Sequence, residues 1–273
     1  MVSVHPLLYK PKKLTWSEVA NRLERRFTLL SFDITGDLLF SEPFGMLEHG
    51  SDLVKIDRRP GSYVSMMNTL AQRNEVIDGL QNLLGVTSAH VKERMVAAQD
   101  DHDDWLSLLL RMRDEHGGLL KFEEIASESL TLFMAAIETV SNTLFAMMYY
   151  LATSPLRYKI RALPYLDAVL NEAMCLHSVL EIGLPREVLP GSKGVHLAEF
   201  YFPPGTVLSV TIYAIHRSKD IWGQDAHDFR PERWEKLSDR QKTAFMPFGH
   251  SPAACVGRNL AEVEMKMIAA TLI

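Results

Sequence analysis

The sequence predicts a mainly α-helical protein with a minor β component, and three observations predict it. Four of the 13 prolines lie in residues 1–150 and nine in the remaining 123. The first part carries apolar side chains at three-to-four spacing, the mark of helices that bury one face. Beyond Leu184, short apolar runs alternate with Gly and Pro, as strands and turns do.

Taken in order, helical spacing or helix-favouring composition covers residues 16–30, 64–84, 88–98, 104–115, 122–151 and 165–176. PREVLP and EFYFPPGTVLSVTIYAIH then read as short strands, with PPGT as a turn. From Val256 the string RNLAEVEMKMIAATLI is helical again. No internal repeat or low-complexity tract interrupts this order.

Length and composition narrow the function classes. At 273 residues the chain has room for one large or two modest domains, and 47% apolar with 23% charged residues describes an ordinary globular protein. A net charge of -5 argues against nucleic acid as the main partner, because such binders concentrate positive charge against phosphates. Two cysteines cannot make a disulfide framework, so a reducing compartment or one special thiolate is expected. The N-terminal stretch shows no secretory or anchoring block. Residues 130–152 are apolar enough to span a membrane, yet Glu138, Ser141 and Asn142 near their centre favour a buried core helix.

Near the C-terminus, FMPFGHSPAACVGRNLAEVEMKM places Cys255 between a Gly/Pro-containing loop and a helix start. Backbone N–H groups and the helix dipole stabilise a thiolate there, the form that ligates metal. Gly249 and Gly257 permit close approach of something flat and large, and Phe248 could shield the sulfur. For an isolated cysteine the better reading is an inert buried thiol; the surrounding string argues for more.

That string resembles the axial-cysteine loop F-G-x-G-x-R-x-C-x-G of the cytochrome P-450 haem-thiolate monooxygenases, through Phe248, Gly249, Cys255 and Gly257. Other motifs follow in family order. Ala135-Ala136-Ile137-Glu138-Thr139 is similar to the oxygen-groove motif A-[GA]-x-[DE]-T, where small residues admit a macrocycle and an acid–alcohol pair can relay protons. FRPERW resembles the F-x-P-E-R-[FW] segment and contributes Arg233. GLPREV supplies Arg186 at the place of a propionate-binding arginine, and FDITGDLLFSEPFGML is similar to the D/E-helix region of fungal microsomal members of secondary metabolism. The resemblance implies haem b held by Cys255 as iron ligand, catalytic roles for Glu138 and Thr139, and a scaffold pair of Glu172 and Arg233. It further implies electrons from NADPH through NADPH-cytochrome P-450 reductase, and a lipophilic small-molecule substrate. By family the expected location is the endoplasmic reticulum surface; the lack of an anchor in this sequence points to a soluble cytoplasmic protein.

The chain departs from the family pattern at several places. Ser251 stands where the loop has glycine, and Ala253 where it has a propionate-binding arginine. In the K-helix motif E-x-x-R, Glu172 is present and Cys175 takes the arginine position, leaving Arg233 to pair with Glu172. Stripping a partner from a buried ionic group costs about 3–5 kcal/mol unless the site repacks. The expected domain is therefore single and partial over residues 1–273, running from the D/E-helix region to the L helix. The A–C helices, a J-helix segment at the Arg157/Tyr158 junction and the C-terminal strands are expected to be missing.

These features leave two main readings open, a monooxygenase and an inactive truncated relative without turnover. A reading from another class assembles Cys175, His177, His250 and Cys255 into a zinc site, although the C-x-H and H-x4-C spacings match no finger pattern. A non-catalytic interaction protein is a further alternative, motivated by shared ancestry alone.

Overall fold

The computed structural model describes residues 15–49, 73–97, 102–154 and 163–272. It is mainly helical with two small antiparallel sheets. The described residues fall into two compact units, one up to Asn142 and one from Thr143, each described separately below.

In the first unit, helix α1 (Trp16–Phe40) begins at a capping box: the Thr15 hydroxyl accepts the Glu18 N–H at 3.3 Å, and the Glu18 carboxylate accepts the Thr15 N–H at 2.8 Å. It runs ten residues beyond the end expected at residue 30, because Phe32, Leu39 and Phe40 continue the buried stripe. It stops at Ser41, a left-handed cap with φ 56°. Gly36 permits the return of the chain: a Cβ there would lie 2.9 Å from the Glu42 carbonyl and from the Phe44 ring. Asp33 then accepts the N–H groups of Met46 and Leu47, each at 2.8 Å, and so starts helix α2 (Met46–His49).

Two separately expected helices prove to be one, α3 (Arg73–Val96), because Gly85 between them has open space and breaks nothing. The expected residues 64–72 lie outside the described ones. Helix α4 (Trp105–Arg111) is shorter than expected at its C-terminal end. Asp114 accepts the N–H groups of His116 and Gly118 at 2.9 and 2.8 Å, and Gly117 adopts φ +82°, which turns the chain instead of extending the helix.

Asp104, the N-cap of α4, ties three elements together. It accepts from the Ser107 N–H, the Ser41 hydroxyl and Arg94 Nη1, all at 2.8 Å. Burial raises its carboxyl, but these donors more than offset it and hold the group well below the usual carboxylate range. Above this network, Phe32 and Phe133 meet edge to face at 5.5 Å and Phe40 stacks on His90 at 4.6 Å. Leu29, Leu39, Leu83, Val91, Leu106 and Ile125 complete the core.

Helix α5 (Phe122–Thr153) runs through the boundary from the first unit to the second. Among the described residues it is the one helix long and apolar enough to cross a membrane, yet Phe133, Ile137, Leu144 and Met147 on it are fully buried by protein.

The second unit contains helix α6 (Leu163–Leu176), which packs chiefly against a 3₁₀ turn at Pro231–Glu235. Strand β1 (Arg186–Glu187) pairs with β4 (Val207–Leu208), and β2 (Val195–Leu197) with β3 (Phe200–Phe202). The PPGT turn forms as expected, with the Thr206 N–H on the Pro203 carbonyl at 3.2 Å and Gly205 at φ +83°. The following TIYAIH string, expected as strand, is instead helix α7 (Ile212–His216), whose Ile212 and His216 are buried on one side. Helices α8 (Lys219–Trp222) and α9 (Asp239–Ala244) lead through a short 3₁₀ turn (Ser251–Ala253) to α10 (Arg258–Leu272).

Candidate functional site

Cys255 lies in the segment between α9 and α10 and is exposed, whereas Cys175 is buried. Its N–H donates to the Phe248 carbonyl at 2.8 Å, closing a loop over residues 248–255. Within that loop the Gly249 N–H donates to the Met246 carbonyl at 3.0 Å, and Gly249 takes φ +71°. The Cys255 carbonyl receives the Arg258 N–H at 3.4 Å as α10 begins. Phe248 is half-buried and lies under the Arg258 guanidinium, 5.6 Å from its ring centre. Gly257 sits beside the thiol, where a Cβ would lie 3.9 Å from Sγ.

Behind this loop, α6 presents Glu172, which is 1% exposed. Its Oε1 accepts the Arg230 N–H at 2.7 Å and Arg233 Nε at 3.0 Å, and its Oε2 accepts Trp234 Nε1 at 2.7 Å. Burial pushes the Glu172 carboxyl above its ordinary value, and these donors offset only part of that rise. Arg233 also donates to three backbone carbonyls, Trp222 at 3.2 Å, Asp225 at 2.8 Å and Asp228 at 3.1 Å. The expected Glu172–Arg233 pair is therefore formed, and the loop from Trp222 to Asp228 is folded around the guanidinium. Trp234 is the partner that the sequence did not reveal.

Cys175 packs with Trp222, Ala226 and Ala244, and its Sγ lies 3.6 Å from the His216 carbonyl. Burial, reinforced by the nearby Glu172 charge, pushes its thiol up to about 12, so it is a neutral packing residue. Cys255 is exposed while Cys175 is in the core, and the His250 ring is engaged with the Thr243 carbonyl at 2.9 Å. Among the described residues no three His, Cys, Asp or Glu side chains converge on a metal position, so the zinc constellation is not assembled.

The remaining expected residues are carried by other elements. Arg186 is exposed on β1, with Nη1 on the Pro185 carbonyl at 2.9 Å. Ahead of β1, Gly183 takes φ +70° and passes close to the Val210 carbonyl, which a Cβ there would meet. In the first unit, the Thr139 hydroxyl donates to the Ala135 carbonyl at 2.7 Å, one helical turn earlier. Asn142 Nδ2 donates to the Glu138 carbonyl at 2.7 Å and reaches its carboxylate at 3.4 Å. Ala135 is exposed and Ala136, Glu138 and Thr139 are half-buried, so small and polar side chains share one stretch of α5.

The sequence also passed over Glu264 on α10. The side chain is half-buried, and burial pushes its carboxyl up to about 7. A lone glutamate in LAEVEMKM carries no signal for this, since its depth depends on how α10 packs.

The second unit thus combines an exposed cysteine ahead of a helix with a buried acid–arginine pair, in a mainly helical fold. The family model for Cytochrome P450 matches residues 15–159 and 157–273, and the chain belongs to that family. The benzoate 4-monooxygenase bphA of Aspergillus niger is 36% identical over 300 residues, covering 90% of this chain and 58% of its own length. The cytochrome P450 monooxygenase tpeC of Talaromyces stipitatus is 30% identical, covering 98% of this chain and 58% of its own. Among solved structures, the retinoic acid-bound cyanobacterial CYP120A1 superimposes with a TM-score of 0.70 at 22% identity, over 93% of this chain and 60% of that one. The chain thus spans about three-fifths of the length of the curated relatives it matches. The bphA alignment extends over 300 residues while taking in 90% of a chain of 273, so that relative has residues inside the matched region with no counterpart here.

Proposed function

We propose that this protein is a haem-thiolate monooxygenase that oxidises a lipophilic small molecule in fungal secondary metabolism, taking electrons from NADPH through a reductase. The observation that carries the reading is the exposed Cys255, whose backbone N–H donates to the Phe248 carbonyl just before α10. These residues fit a haem at its thiolate side: Cys255 would ligate the iron, and Phe248, Gly249 and Gly257 would border the sulfur. Arg186 would meet one propionate. When bound, haem supplies dioxygen activation, in which one oxygen atom enters the substrate and the other leaves as water with an electron pair and protons consumed.

The chain's own residues supply the proton side of that reaction. Thr139 holds its hydroxyl against the Ala135 carbonyl, and Asn142 steadies the Glu138 backbone and carboxylate, so the acid and the alcohol keep fixed positions on α5. The Glu172–Arg233 pair holds the loop before α9 and acts as scaffold rather than reactant.

A second reading, a relative that keeps the fold without turnover, is favoured by Ala253. This exposed, uncharged side chain stands where the family pattern has a propionate arginine. The family-model match also falls into two parts that meet at residues 157–159, which supports the absence of a J-helix segment at that junction.

The discriminating experiment loads the purified chain with haemin, reduces it with dithionite and adds carbon monoxide. A red-shifted thiolate-type Soret band that disappears in Cys255→Ala is the expected result. Haem uptake indifferent to Cys255→Ala would overturn the ligand assignment, and a thiolate band without substrate oxidation in the presence of reductase would select the second reading.

A further inference from the structure

His216 is fully buried, at 0% exposure. Its ring lies in the second unit against Phe245, with centroids 5.6 Å apart, and faces Trp222 edge-on at 6.5 Å. Nε2 accepts the Met246 N–H at 3.1 Å, which puts the ring proton on Nδ1, where Ser178 Oγ stands at 3.4 Å. The next links run along the chain toward the thiol: the Gly249 N–H donates to the Met246 carbonyl, and the Cys255 N–H to the Phe248 carbonyl. The imidazole is thus the one side-chain acceptor among the described contacts of the Met246 amide, and it fixes the residue from which the cysteine loop departs.

We propose that His216 is a positioning residue for Cys255, setting the register of the 246–255 loop through the Met246 N–H. Its contacts are with Met246, Ser178, Cys175, Trp222 and Phe245 and not with Cys255, so it acts through the backbone. Removing the acceptor while keeping volume, as in His216→Leu, orphans a partly buried N–H and lets the loop leave its place. His216→Gln can return an acceptor near the Nε2 position and is the conservative rescue. The inference builds on Cys255 being the functional thiol, but its test needs no haem.

The test measures alkylation of Cys255 by iodoacetamide in the folded chain, read by peptide mass spectrometry, with buried Cys175 as an internal control for global opening. The expected result is a rate changed about fivefold or more in His216→Leu, on the scale of one lost hydrogen bond, and restored toward wild type in His216→Gln, with Cys175 protected throughout. An unchanged Cys255 rate in a folded His216→Leu chain overturns the proposal. Should that variant not fold, native-state hydrogen exchange of the wild type decides. Met246, Gly249 and Cys255 amides opening as one unit is the expected outcome, and a Cys255 amide that exchanges independently of Met246 overturns the proposal. Either failure would leave the carbon monoxide result untouched, and a missing thiolate band would leave the loop measurement valid.

Discussion

Arg233 Nε lies 3.0 Å from Glu172 Oε1, with both side chains buried, in a chain that carries Cys175 one turn further along α6. Asp225 is the third ionic member, its Oδ1 3.7 Å from Arg233 Nη1. Trp234 Nε1 and the Arg230 N–H take up the remaining capacity of the carboxylate, and backbone carbonyls occupy the rest of the guanidinium.

Arg233→Ala leaves Glu172 buried without a counter-charge and strips the Trp222, Asp225 and Asp228 carbonyls of a donor. The expected loss is about 3–5 kcal/mol, while Glu172→Gln, which keeps the shape and one acceptor but turns its amide nitrogen toward a donor, costs about 1–3 kcal/mol. Urea unfolding of both variants checks the order; equal losses would contradict a charge-based anchor.

Restoring an arginine at position 175 is expected to harm the second unit. The site is filled by Trp222, Ala226 and Ala244, and both Glu172 oxygens already have partners. Cys175→Arg should cost about 1–3 kcal/mol from overpacking. Ala253 is exposed, so Ala253→Arg is tolerated, and any improvement in haem retention in a double variant comes from that position. Stability and haem off-rate, measured for each single variant, separate the two.

Glu264 makes stability depend on pH. Burial raises its folded value to about 7, above the ordinary 4.5, so its contribution is fully present below about pH 4.5 and is lost as pH climbs toward 7. Glu264→Gln should therefore match wild type near pH 4.5 and exceed it by roughly 1–3 kcal/mol at pH 8. Melting curves across that range test it, and a difference independent of pH would remove the titration as its cause.

The parts of the fold legible in the sequence were those with local causes. Helix α10 and the PPGT turn follow from periodicity and from Pro and Gly chemistry acting over a few residues. The end of α1 was not legible, because it is set by Asp33 reaching Met46 and Leu47 and by the close pass of Phe44 over Gly36. TIYAIH reads as strand from its β-branched and aromatic residues, yet tertiary packing buries Ile212 and His216 as a short helix. At the candidate site, the sequence carried Cys255 and the Glu172–Arg233 pair, since charged and sulfur-bearing side chains announce themselves. His216 and Trp234 stayed hidden, because their importance lies in which backbone or carboxylate atom they meet across 30 and 62 residues.

The separation of Glu172 from its partners along the chain, 58 residues to Arg230 and 61 to Arg233, bears on how this unit folds. Helix α6 can form from local contacts, but its acid must wait for a long loop to close before any donor arrives. Until then the carboxylate holds its place only in water, and α6 cannot bury the face that carries it. If closure of the segment carrying Arg230, Arg233 and Trp234 commits the unit, mutations at this anchor slow refolding as well as lower stability, which stopped-flow refolding of Arg233→Ala checks.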